Sequence, residues 1–320
     1  MLPLLRRAQV IDVPNLRSSH VAPVPRGGGV AVAAGIAVAA YVGHRLGFDV
    51  PWYVLTATMT LAIVGWVDDV RGLSARLRLV IQLLATVGLV GFVASEGIDS
   101  GIPAILFVGV AILGVMGYTN AFNFMDGING ISAINAALAG FWFAWLGNQN
   151  SFEELTVLGL AVAGASLGFL PWNAPNAKLF LGDVGSYAVG FLLAALAVLS
   201  WADGVGALYC IAPFSIYLAD TAWALSKRVL GGRSWREAHR EHVYQRLVDG
   251  GWSHLACSIL CATAGLVTCV LVLFLTSWDP LFAVLGVTLI AAVYLALPSL
   301  VLARRSLLEA RGLQRREEPK

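Results

Sequence analysis

Residues Asn120–Gly130 read NAFNFMDGING and lie between two long apolar runs. A carboxylate (Asp126), three amides (Asn120, Asn123, Asn129) and two glycines (Gly127, Gly130) interrupt sequence that otherwise suits a bilayer. Unpaired polar groups are costly in hydrocarbon, so this stretch belongs at a membrane edge. There it suits a loop that holds a nucleotide or a hydrated metal ion.

Outward from that stretch, apolar runs recur at about 30–46, 52–67, 78–95, 102–119, 131–147, 155–170, 184–201, 206–226, 254–276 and 281–302. Each is near the ~20 residues that a helix needs to cross a bilayer. Hydrophobic residues make up 58% of the chain and charged residues 12%, about half the charge of an average soluble domain. Mean hydropathy is +0.77. The alternating segments of a membrane β-barrel are absent. These features predict an all-α polytopic membrane protein with about ten transmembrane helices. A single domain spans 1–320, with a cytoplasmic segment at 1–28, a cytoplasmic loop at 227–253 and a tail at 303–320.

Charge sets the orientation. With residues 1–28 inside, every Lys and Arg except Arg45 falls on inner segments, out of 21 in all. The outer turns carry Asp49, Glu96, Asp99, Glu153, Glu154, Asp203 and Asp279. The positive-inside rule then predicts that both termini are cytoplasmic. A net charge of +2 has this topological origin and gives no footprint for nucleic acid. The cysteines, Cys210, Cys257, Cys261 and Cys269, all fall in apolar runs and read as small buried residues. MLPLLRRAQ is too short in apolar residues for a signal core.

On this topology the polar clusters all face one side. Asp68 and Asp69 close the second run, ahead of LSARLRLVIQ. Asn120–Gly130 follows, then Trp172–Ser186 (WNAPNAKLFLGDVGS) and the basic loop 227–253 with His239, Arg240 and His242. A less specific fifth holds Ser18-Ser19-His20 and Pro25-Arg26-Gly27-Gly28-Gly29. Adjacent carboxylates such as Asp68 and Asp69 either ligate a divalent cation, take a proton from a nucleophile, or are merely solvated at a helix end. Asp183 opens a span, where helix amides favour anions or the Asp caps the helix. Three carboxylate sites at one depth suggest Mg²⁺, held by one or two carboxylates and completed by phosphates. Ser234–Leu247 has helical character, with His239 and His242 on one face and Arg236 and Arg240 on another. It reads as an interfacial amphipathic helix, or as Arg240 and the histidines gripping a pyrophosphate. Asp220 sits near the inner end of the eighth run, facing the same cavity or serving a structural role.

GWVDDVRGLSARLRL, NAFNFMDGING, NAPNAKLFLGDVGS and the Arg240-Glu241-His242 element occur in one order across nearly the whole chain. In this the sequence resembles the polyprenyl-phosphate N-acetylhexosamine-1-phosphate transferases. The resemblance implies that a polyprenyl phosphate attacks the β-phosphorus of a UDP-sugar, giving polyprenyl-diphosphate-sugar and UMP. It implies Asp183 as the Mg²⁺ ligand (Mn²⁺ as the substitute), with Asp126 sharing metal and catalytic roles. Asp68 and Asp69 are similar to the pair that deprotonates or orients the lipid phosphate. Asn123 resembles a residue beside the nucleotide, Phe180 the aromatic under uracil, and Asn173 an amide near the base. Lys178, His239 and Arg240 join them as substrate-binding residues, and His242 as a catalytic element at the diphosphate.

The implied partners are a UDP-sugar, undecaprenyl phosphate and membrane lipids, with a homodimer allowed. The implied location is the bacterial inner membrane, with the site on its cytoplasmic face. Asn129 stands where relatives often have Asp, and Tyr244-Gln245 where many have a His-His pair. The second departure resembles O-antigen-initiating members more than the muramyl-pentapeptide branch. Many relatives also carry a span ahead of the segment resembling Asp12–Gly29; either this branch lacks it or the natural start lies upstream. Two rivals remain at this level. A secondary transporter would place its carboxylates near the bilayer midplane. An intramembrane prenyltransferase would carry two aspartate-rich motifs, whereas Asp69 is followed by Val70-Arg71-Gly72.

Overall fold

The computed structural model of the chain describes residues 10–13, 23–232 and 240–317, with 302–317 as backbone. It is built almost entirely of helices. Helices α1 (Gly29–Arg45), α2 (Trp52–Arg71), α3 (Ala75–Glu96), α4 (Ala104–Met125), α5 (Ile131–Asn150) and α6 (Glu153–Asn173) precede a central α7 (Gly182–Ala202). The chain continues through α8 (Ala207–Ile211), a 3₁₀ turn (Ala212–Phe214), α9 (Ser215–Leu230), α10 (Val243–Asp249), α11 (His254–Leu275) and α12 (Pro280–Glu317). Pro213 lies at the start of the 3₁₀ turn that separates α8 from α9. A proline has no N–H for the ladder, which suits it to a helix start.

Each of the ten apolar runs is helical. Among the described residues, eight segments are long and apolar enough to cross a membrane, Ala207–Leu230 counting as one. The other two runs are α1, apolar but 17 residues long, and α5, which carries Asn135, Asn148 and Asn150. Large apolar side chains face outward on many of them, including Ile105, Leu113, Phe274 and Leu289. On a soluble protein such a surface would drive association, whereas against lipid tails it costs nothing.

Helix α7 is the axis. Of its span 89% is buried, against 11% for Pro280–Val301 of α12. All of α1 to α6 pack against it. Its small residues, among them Gly185, Ser186, Ala188 and Gly190, let neighbours approach closely. Gly65 of α2 shows how closely: a Cβ there would collide with the backbone carbonyl of Asp183. A second group, α9 to α12, packs mainly on itself and on α4 and α5.

Two short strands, β1 (Ile11–Asp12) and β2 (Val24–Pro25), pair antiparallel ahead of α1. The chain then bridges in parallel from Arg26 to Phe180. Phe180 donates its N–H to Pro25, and Gly28 and Gly29 donate theirs to Phe180 and Leu181, at 2.8–2.9 Å. This strap fastens the N-terminal segment to the loop before α7.

Three local expectations change. Asn120 and Asn123 lie on α4, which runs to Met125, so the loop proper is Asp126–Gly130. The helix expected over 234–247 begins, where described, at Val243, and Arg240 and His242 precede it. His239 and the Ser18-Ser19-His20 cluster lie outside the described residues. Finally, α12 does not stop near 302 but continues to Glu317.

Candidate active site

The carboxylates far apart in sequence meet at the ends of α2, α4 and α7. The loop 174–181 delivers the chain to Gly182, whose φ of +75° lets α7 begin with its first amides facing α2. Asp69 occupies that junction: its Oδ1 accepts from Asp183 N and its Oδ2 from Val184 N, both at 3.1 Å. A carboxylate there satisfies orphan N–H groups and complements the positive helix end. Asp69 is also 3.7 Å from Arg26 Nη1, and Arg26 in turn pairs with Asp12 at 2.5 Å.

Asp68 points the other way. Its Oδ1 accepts from Leu73 N at 2.7 Å, and its Oδ2 accepts from Arg78 Nη1 at 2.8 Å and from Tyr187 Oη at 3.3 Å. Arg78 Nη1 also donates to Tyr187 Oη at 3.0 Å and lies 3.9 Å from Asp183 Oδ2. One guanidinium thus bridges two carboxylates from different helices. Asp183 receives Asn123 Nδ2 on Oδ1 at 2.7 Å, and the same nitrogen reaches Ser186 Oγ at 2.8 Å. Its side chain is 27% exposed, against 6% for Asp68 and 1% for Asp69. Of these three, Asp183 is therefore the carboxylate that remains open to a ligand.

Asp126 follows the last turn of α4 and is half-buried. Burial pushes its carboxyl up to about 6, with Asp69 adding to the rise while Ser132 and Arg26 oppose it. Excess negative charge around Asp69, Asp126 and Asp183 is what a divalent cation relieves. The donor set that these residues supply is hard carboxylate oxygen, which suits Mg²⁺. Among the described residues no group of three or more His, Cys, Asp or Glu is placed to hold a metal ion by itself. That also fits an ion whose shell is completed by substrate phosphates.

The arm comes from the other group of helices. Tyr244 of α10 is buried and donates its hydroxyl to Phe124 O at 3.2 Å, and a Cβ at Gly127 would strike that hydroxyl. Its ring lies 11° from parallel with His242, with centroids 5.6 Å apart. Gln245 Oε1 accepts from His242 N at 3.2 Å, capping α10. The Tyr-Gln pair found in place of His-His therefore has packing and capping work of its own. Arg240 is ion-paired to Asp249 at 2.7 Å.

The remaining anticipated residues divide between site and scaffold. Asn173 accepts from Gly130 N at 2.6 Å and donates to Leu179 O at 3.1 Å, so its carboxamide staples two loops. Asn129 donates to Pro175 O at 2.9 Å in the same seam. Phe180 is half-buried beside the strap, and Lys178 is exposed on the same loop. Sequence reasoning gave no role to Arg78 or Tyr187, and named Arg26 only within the less specific fifth cluster. A signal for Arg78 was present, because a cation inside the first turn of an apolar run is costly without a partner. Tyr187 follows Asp183 by one helical turn, which places both on one face.

Residues 51–201 match glycosyl transferase family 4. A phospho-N-acetylmuramoyl-pentapeptide-transferase of Synechococcus sp. (strain JA-3-3Ab) is 33% identical over 282 residues, covering 80% of this chain and 81% of that protein. A probable undecaprenyl-phosphate N-acetylglucosaminyl 1-phosphate transferase of Bacillus subtilis (strain 168) is 27% identical, covering 79% and 74%. A decaprenyl-phosphate N-acetylglucosaminephosphotransferase of Mycolicibacterium smegmatis is 31% identical, covering 78% and 71%. With the carboxylate-bearing helix ends inside the matched region, the chain belongs to the polyprenyl-phosphate N-acetylhexosamine-1-phosphate transferase family.

Proposed function

We propose that this membrane protein transfers a sugar-1-phosphate from a UDP-sugar to undecaprenyl phosphate and releases UMP. The observation that carries the reading is the meeting of Asp68 and Asp69 at the end of α2 with Asp183 at the start of α7, tied by Arg78 of α3 and by the first amides of α7. Carboxylates at span ends, not at mid-depth, suit a lipid headgroup meeting a water-soluble nucleotide, and disfavour a transporter.

In this reading an oxygen of the lipid phosphate attacks the β-phosphorus, the bond from that phosphorus to the bridging oxygen breaks, and UMP leaves. Phosphoryl transfer mainly requires positioning and charge neutralisation. Asp183 and Asp126 would hold the divalent cation, Mg²⁺ or in its place Mn²⁺, which when bound neutralises charge gathering on the phosphates. Asp69 has both oxygens committed to backbone amides, so it orients Asp183. Asp68 takes the proton of the attacking phosphate, and Arg78 turns from Asp68 to that phosphate. Asn123 fixes the Asp183 rotamer. Arg240 and His242 meet the diphosphate, with Phe180 beneath the base and Lys178 at its rim.

Topology follows from the same reading: both termini and the site are cytoplasmic, in the inner membrane of a bacterium. The sugar is an N-acetylhexosamine or a 6-deoxy derivative, and the product starts an O-antigen or another envelope polysaccharide. Purified protein given undecaprenyl phosphate and a panel of UDP-sugars tests this. The expected result is UMP release with one or a few sugars, dependent on the lipid. Absence of lipid-dependent UMP release across the panel overturns the reading.

A further inference from the structure

Asp220 of α9 is fully buried within a candidate membrane span, yet it touches neither the carboxylate cluster nor the lipid. Its partners all come from elsewhere in the second helix group. His242 Nδ1 lies 3.1 Å from Oδ1, Val243 N donates to Oδ1 and Oδ2 at 3.2 and 3.1 Å, and Tyr294 Oη of α12 donates to Oδ2 at 3.4 Å. Both oxygens are thus engaged, Oδ1 by His242 and Val243 and Oδ2 by Val243 and Tyr294. A buried carboxylate in a span is expensive and is retained where it does a specific task.

The task is legible from the two groups it holds. With Asp220 as the acceptor, the bond to His242 places the proton on Nδ1, as carboxylates fix the tautomer of histidines elsewhere. The bond to Val243 N satisfies the first orphan amide of α10. From there the connection is short: His242 lies against Tyr244, and Tyr244 bonds to Phe124 beside Asp126.

We propose that Asp220 is a positioning residue for the transfer site, fixing His242 with its proton on Nδ1 and pinning the start of α10 against the Asp126 loop. The proposal rests on the transfer reading above, in which His242 faces the diphosphate. Asp220 acts through His242 and touches no substrate.

A mutant cycle tests it in the full-length protein, with Asp220→Asn, His242→Gln and the double variant assayed for UMP release. Asp220→Asn keeps the shape and removes the charge. Its kcat should fall by about 10–100-fold, the range for residues that orient a functional histidine. KM for undecaprenyl phosphate should stay unchanged, and the double variant should be no slower than His242→Gln alone. Losses that multiply in the double variant, or wild-type kcat in Asp220→Asn, overturn the proposal and leave the transfer reading standing. A wild-type protein without lipid-dependent UMP release overturns both. A second measurement needs no Asp220 variant. With ¹⁵N-labelled histidine, the chain shows five histidines, and loss of a signal in His242→Gln identifies residue 242. A protonated Nδ1 supports the proposal, and a neutral ring protonated on Nε2 overturns it.

Discussion

The two halves of the site are held by different kinds of contact. Both have a carboxylate on the first amides of a helix, Asp69 on α7 and Asp220 on α10. On the carboxylate side backbone also meets backbone, with Gly65 of α2 directly on the carbonyl of Asp183; on the arm side the close approach at Gly127 is to the Tyr244 side chain, and the seven-residue α10 is attached through Asp220, Gln245 and Tyr244. Backbone contacts tolerate little adjustment, whereas side-chain contacts can be made and released. In the proposed reaction this difference makes the carboxylates the fixed frame for the reacting phosphates and the arm the adjustable side of the site.

The frame should therefore fail abruptly. Asp183→Ala removes the most open carboxylate and should lower kcat on the order of 10²–10³-fold or below detection while the protein still inserts. Turnover near that of the wild type would remove Asp183 from the chemistry. Gly65→Ala is the purely steric counterpart. Its Cβ meets the backbone of Asp183, which no rotamer change can relieve. A loss of about 1–3 kcal/mol is expected, read as a lower thermal midpoint in detergent together with reduced UMP release. Unchanged stability and rate would mean that α2 and α7 are not locked in this way.

The arm should fail gradually. Arg240→Ala should raise KM for the UDP-sugar ~10- to 100-fold, the range for hydrogen bonds to charged groups, with a smaller change in KM for the lipid. An unaltered rate at limiting UDP-sugar would detach Arg240 from the diphosphate.

How much of this was legible in the sequence follows from the range of each interaction. The ten apolar runs are local signals: a long apolar run has to become a helix in lipid because its backbone has no other partner. Asp68, Asp126 and Asp183 stood out because a carboxylate beside an apolar run needs an explanation. What stayed hidden is pairwise. Asp68 and Asp69 are adjacent and read alike, yet they point to different partners, and only the approach of α7, more than 110 residues on, separates their roles. Arg78 was counted as a marker of topology because its partners, Asp68 and Tyr187, lie 10 and 109 residues away. Asn173 has a place near the base only through the family resemblance, and the sequence gives no sign that its amide is buried between loops, bonded to Gly130 and Leu179. The arm was misread most, since the helical spacing of 234–247 ignores Asp220, which takes Val243 N and starts the helix there.

The mildest expected effect sharpens the contrast most. Tyr244→Phe deletes one hydroxyl and leaves the ring that lies against His242 and occupies the buried space beside Gly127. The lost bond is to Phe124 O, two residues before Asp126. A net hydrogen bond is worth about 0.5–1.5 kcal/mol, so if it positions the arm over the site, kcat/KM for the UDP-sugar should drop by ~2- to 10-fold. The thermal midpoint should fall less than in Gly65→Ala, because the backbone contact at Gly65 is kept. A midpoint that falls as far as in Gly65→Ala, with kcat/KM unchanged, would show that Tyr244 belongs to the frame. The boundary between the two halves would then lie beyond α10 and not at the Asp126 loop.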